Sequence, residues 1–178
     1  RVSAEELRAH FTTLPARYFE IRGAKEIALD LDLAHRFMHL QVLEEDRALE
    51  PIVGWQDDAD RGYTAVKVCT WDREGLFSHI AGALSAAGLN ILSAQIFTRT
   101  DGIAMDTFYV TDAKTGVLAS EEQQAKFEGL LAKVLTGHAV DFRGLIARQR
   151  STRPLYQGYE GEGIPTQVRL ANDASDHR

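Results

Sequence analysis

The chain has 178 residues, 44% of them hydrophobic and 26% charged, enough to bury one core of ordinary domain size and too apolar for disorder by composition. A net charge of −6 without a dense block of Lys and Arg gives no long-range pull on nucleic acid or anionic lipid, so neither is expected as a partner. No apolar run reaches membrane-spanning length, no signal-peptide pattern opens the chain, and the single cysteine, Cys69, cannot pair within it, which suits a reducing cytoplasm.

Ser3 and Glu6 have the spacing of a capping box, which predicts a short helix through about Phe11. Pro15 restarts the chain, and Arg22-Gly23 precedes a longer helix over about 24 to 46. Its apolar stripe is read as Ile27, Leu31, Ala34, Met38 and Val42, and periodicity alone does not say what that stripe packs against. Residues 1–48 thus form a helical connector. In residues 49–62, Leu49 to Gln56 are a short extra strand and Asp57-Asp58-Ala59-Asp60 a solvated acidic turn.

Thr64, Val66, Val68 and Thr70 alternate with Ala65, Lys67, Cys69 and Trp71, predicting a strand over 63 to 72. Asp72-Arg73-Glu74-Gly75 is a tight turn. Leu76, Phe77, Ile80, Ala81, Leu84 and Ala87 then recur at helical spacing, and Gly88 closes the helix. The free N–H groups and positive dipole end of that helix favour a carboxylate at its head, although Gly75 as a plain turn and Asp72 as a plain cap explain the same residues. Strands over 89 to 99 and 103 to 111 flank the hairpin signal Thr100-Asp101-Gly102, and Ser120 with Gln123 caps a second helix carrying Phe127, Leu130, Leu131 and Val134. Alternation through Val140, Phe142, Gly144 and Ile146 predicts a fourth strand over 139 to 148. The resulting order is βαββαβ: an α+β, ferredoxin-like unit over 63–148, with both helices on one face of an antiparallel sheet. Residues 149–178 are a linker rich in Gly and Pro, carrying Tyr156 and Tyr159, followed by a segment that weakly repeats residues 53–59 at an offset of 115.

Three constellations have residue types that could carry chemistry. His35 and His39 lie one helical turn apart, but Arg36-Phe37-Met38 between them supplies no acid, so they read as surface or contact histidines. Asp30 and Asp32 spell Asp-x-Asp, yet on a helix they point about 200° apart and cannot share a magnesium ion. Asp57, Asp58 and Asp60 lack the further oxygens of a calcium loop. No metal site and no catalytic site is expected.

The runs Asp72-Arg73-Glu74-Gly75-Leu76-Phe77, Leu89-Asn90-Ile91, Ala94-Gln95-Ile96-Phe97-Thr98, Asp101-Gly102 and Met105-Asp106-Thr107-Phe108 resemble the first ACT domain of bifunctional PII-protein uridylyltransferase/uridylyl-removing enzymes. Leu14-Pro15-Ala16-Arg17-Tyr18-Phe19 resembles the connector after that family's HD hydrolase domain, and residues 165–178 resemble the lead into its second ACT domain. One departure is Glu74, where the family usually has proline. The resemblance implies a glutamine-sensing regulatory piece of a longer cytoplasmic nucleotidyltransferase that uses magnesium, with PII protein as the parent's partner and no cofactor in this fragment. It further implies a homodimer through ACT domains, with ligand at the seam. The amino acid carboxylate is expected on the amides of Gly75, Leu76 and Phe77 beside Arg73, and its amine or amide on Asp72 and Asn90 near Ile91, with Asp106 a lesser candidate. The alternative is an ACT interaction module that binds no ligand and only positions catalytic domains or mediates dimerisation. RNA binding through the same topology ranks last, because the third strand carries an acid instead of a basic, glycine-containing signature.

Overall fold

A computed structural model describes residues 2–43, 47 and 49–151. Three helices, α1 (Ala4–Thr13), α2 (Ala16–Ile21) and α3 (Ala24–Leu43), precede strands β1 (Ile52–Asp58) and β2 (Tyr63–Trp71). After these come α4 (Leu76–Ala86), β3 (Leu89–Gln95), β4 (Ile103–Asp112), α5 (Glu121–Leu135) and α6 (Phe142–Ser151). The sheet is antiparallel throughout, in the order β1-β2-β4-β3. The α+β, ferredoxin-like expectation holds, but the fourth strand comes from elsewhere in the chain.

Residues 139–148 do not form that strand. Asp141 accepts the Gly144 amide at 3.0 Å as a helix cap, and Phe142, Leu145 and Ile146 then fall on helical spacing, giving α6. The place beside β2 is taken by β1, whose Val53, Trp55 and Asp57 pair with Val68, Val66 and Thr64. Trp55 clamps β1 to α5, its indole N–H donating to Glu128 at 2.7 Å and its ring meeting Phe127 edge-on at 5.5 Å. With both sides of β2 occupied, α6 packs on α4 instead. Phe142 lies so close to Gly82 that a Cβ there would sit 2.7 Å from its ring. Gly82→Val is therefore expected to push α6 off α4 and destabilise the domain by about 1–3 kcal/mol, measurable by urea unfolding.

The two sheet faces carry different cores. Val66, Val68, Ala104, Phe108 and Val110 face α4 and α5, packing on Ile80, Leu84, Phe127 and Leu131. Cys69, Ile103 and Met105 face the N-terminal helices, against Tyr18, Leu33, Ala34 and Phe37. The long helix thus lies on the back of the sheet. Its buried stripe is Asp30, Leu33, Ala34 and Phe37, and Val42 at the end of the expected stripe is 80% exposed. The rotation has an electrostatic cause. Asp30 is drawn inward to Lys67 on β2 at 2.5 Å and accepts the Tyr18 hydroxyl at 2.8 Å. Arg22 spans to Glu26 at 3.0 Å and donates to Thr107 on β4 at 2.7 Å. Asp32 is exposed, so the Asp-x-Asp pair is divided between core and solvent. His10, fully buried against Tyr18, is driven to a pKa of about 4 by burial, helped by the charge of Arg99. Burial also pushes the Cys69 thiol up, in keeping with a small core side chain.

Candidate functional site

Chain direction at the end of β2 sets the site. Asp72 donates its amide to the Gly102 carbonyl at 2.8 Å, and the turn ends in Gly75, whose φ of 74° is the left-handed conformation that favours glycine. Gly75 caps α4 without a side chain, and no side-chain oxygen takes the place of one. The Leu76 amide turns back to the Arg73 carbonyl at 3.2 Å, while those of Phe77 and Ser78 meet no acceptor among the described residues. Two free N–H groups and the positive end of an 11-residue helix therefore lie together.

On the sheet face that α4 covers lies Asp106. It pairs with Val68 in the centre of the sheet and, by strand alternation, points to the α4 face. Its residue is 3% exposed, and Oδ1 is buried without a hydrogen-bond partner among the described residues. Burial raises the carboxyl pKa to about 7; the Phe97 amide opposes this, and the negative charge of Asp72 adds to it. Thr70 Oγ1, on the same face of β2, and His79 Nδ1, one turn into α4, are likewise buried and unpartnered. The His79 ring curls back toward the turn, its Cε1 3.8 Å from where a Cβ on Gly75 would sit. Three buried polar groups without partners among the described residues thus lie on the facing surfaces of the sheet and α4. Buried polar atoms are rarely left so, and a ligand that supplies partners is one way to satisfy them. Phe77, 52% exposed, lies over this region with its ring 5.7 Å from Phe108.

The expected site residues divide. Asp72, Gly75, Phe77 and Asp106 come together, and Asp106 moves from lesser candidate to the most distinctive group. Arg73 does not join them, because its guanidinium donates to the Leu135 carbonyl at 2.7 Å and closes the end of α5. Leu76 is buried with its amide already used, and Ile91 packs against the α4-side core. Asn90 lies at the far end of the sheet. It pairs with Thr111 whereas Trp71 pairs with Ile103, eight residues along β4 and roughly 26 Å away at strand spacing. Asn90 instead lines a cleft of about 560 Å³ with Gly88, Asp112, Lys114 and Gln123. Within one chain it cannot reach a ligand at Gly75. Thr70 and His79 lie outside the expected set. A hydroxyl in the inward register of Val66 and Val68, and a histidine four residues past the turn glycine, were the legible signals.

Residues 64–128 match the ACT domain family. The chain is also similar to proteins described as bifunctional uridylyltransferase/uridylyl-removing enzyme. That of Azospirillum brasilense is 36% identical over 134 residues, covering 75% of this chain and 14% of the relative. That of Rhodospirillum rubrum is 39% identical over 111 residues, 61% of this chain and 12% of the relative. For Gluconobacter oxydans the figures are 32% over 152 residues, 84% and 16%. The chain therefore spans about a seventh of the length of these curated relatives. It carries an ACT domain and is homologous, over most of its length, to the corresponding region of bifunctional uridylyltransferase/uridylyl-removing enzymes.

Proposed function

We propose that this ACT domain senses a free α-amino acid, glutamine, and reports nitrogen status to the catalytic parts of a cytoplasmic uridylyltransferase/uridylyl-removing protein that acts on PII and uses magnesium. The observation that carries this reading is Asp106, a buried and half-satisfied carboxylate on the sheet face that α4 covers, close enough to Asp72 in the turn before the uncapped helix start to feel its charge. An amino acid complements both halves. Its carboxylate would accept from the Phe77 and Ser78 amides, and its ammonium would neutralise Asp106 and Asp72, whose mutual repulsion otherwise disfavours charge in the site.

Pairing of two ACT units completes the arrangement. β3 is one of the two edge strands of the sheet and runs parallel to β2, since both are antiparallel to β4. A second copy joined antiparallel along β3 would bring its own Asn90 to the Gln95 end, the end where Asp72 and Gly75 lie. Leu92 on that edge and Ile96 just beyond it are 54% and 46% exposed, surface that such pairing would cover.

Titration calorimetry with L-glutamine tests the proposal. Expected are heat with the unaltered chain, at least tenfold weaker binding for Asp106→Asn, and loss of binding for Gly75→Val, whose β-branched residue does not tolerate a φ of 74°. No heat with glutamine or any other amino acid at millimolar concentration, for this chain and for the full-length protein alike, would refute it. The interaction-module reading has its own support, because the exposed β3 edge offers pairing whether or not a ligand is present. A dimer whose stability does not respond to any amino acid would favour that second reading.

A further inference from the structure

The two histidines that lacked an acidic partner in sequence acquire one in space. α1 crosses α3 so that Glu6 Oε1 lies 2.7 Å from His35 Nδ1, and His39, one turn further along α3, places its ring centroid 4.2 Å from that of His35. One ligand atom from each of the three residues lies within 4.8 Å of the other two. We propose that Glu6, His35 and His39 form a binding site for a divalent transition-metal ion, zinc foremost, that staples α1 to α3.

The donor set suits that ion. Two imidazoles and one carboxylate are the ligands of a tetrahedral zinc whose fourth position is water, and His at i and i+4 is the helical spacing that aims both rings at one point. Ligand atoms of a tetrahedral site with bonds near 2.0–2.1 Å stand roughly 3.4 Å apart, a separation within the span of this cluster. Glu6 is also held from behind. Its other oxygen, Oε2, accepts the Ser3 amide at 2.7 Å in the capping box, which keeps the carboxylate ionised and oriented as outer-shell hydrogen bonds do for metal ligands. The ion would take the place of the hydrogen between Glu6 Oε1 and His35 Nδ1. Such a tie would fix α1 to the helix that carries Asp30, and so to the back of the ACT sheet.

The chain, freed of metal by a chelator, is titrated with zinc chloride against a chromophoric competitor, and with cobalt(II) as a spectroscopic probe. Expected are one zinc per chain, visible cobalt bands of a four-coordinate site, and a zinc-dependent rise in Tm. His39→Ala, an exposed change that leaves the Glu6–His35 contact in place, should weaken zinc binding at least tenfold and abolish the cobalt bands. Glu6→Gln keeps the capping box and should weaken binding similarly. Zinc affinity equal in the unaltered chain and in both variants would overturn the proposal, as would absence of saturable binding; either result would leave Glu6–His35 as an ordinary pair between helices.

Discussion

Asp106→Asn is expected to make the protein progressively more stable than the unaltered chain as pH rises. The sign follows from linkage. The folded-state pKa of about 7 lies above the ordinary 3.8, so the folded form holds its proton more tightly than the unfolded chain does. The stability contributed by that proton is complete below about pH 4 and is lost as pH rises toward 7. A shift of about three units corresponds to about 4 kcal/mol between those limits. Asparagine has no such proton. Urea unfolding at pH 4.5 and pH 8 should therefore show the gap between variant and parent widening by about 3 kcal/mol, part of the total being lost already below pH 4.5, and a pH-independent gap would mean that Asp106 is ionised in the fold throughout. Saturating glutamine should flatten the pH dependence of the unaltered chain, because an ammonium beside Asp106 lowers its folded pKa. Stability lost at this residue at neutral pH is thus what a cationic ligand bound beside it would restore.

Asp30→Ala is expected to be the most damaging single change on the opposite face. It leaves Lys67 and Arg22 buried without their shared carboxylate and removes the acceptor of the Tyr18 hydroxyl. Breaking a buried ion pair from one side costs about 3–5 kcal/mol, or roughly a 10 °C fall in Tm for a domain of this size. Lys67 already has its pKa lowered by burial, with Asp30 opposing that shift, so its ammonium loses its main support. Asp30→Leu combined with Lys67→Met should recover much of the loss, because the desolvation penalty disappears along with the attraction. Equal losses in single and double variants, measured by thermal and urea unfolding, would show that the pair does not account for the burial of α3. β4 joins the two predictions, since adjacent Asp106 and Thr107 face α4 and Arg22 respectively.

The sequence by itself determined whatever rests on local pattern. Alternation set β2 and β4, capping boxes started α1 and α5, and Gly75 with the apolar spacing after it set the turn and α4. Its motifs also identified the ACT domain. Tertiary structure decided what depends on partners distant in the chain. Alternation over 139–148 lost to helix because β1 already held the free side of β2, a competition that no window of ten residues contains. The stripe of α3 turned toward Asp30 because Lys67 and Arg22 waited beneath it, and an apolar tally scores a carboxylate as outward-facing. Asn90 and Asp72 look like neighbours across one short helix, yet parallel strands joined by a helix start at one end of the sheet and finish at the other, so they are separated by the length of the domain. The same logic raised Asp106 in rank and gave His35 and His39 their carboxylate. Burial and partnership belong to space, and those two properties decide whether an acid is a surface charge, a strand-end contact or a receptor.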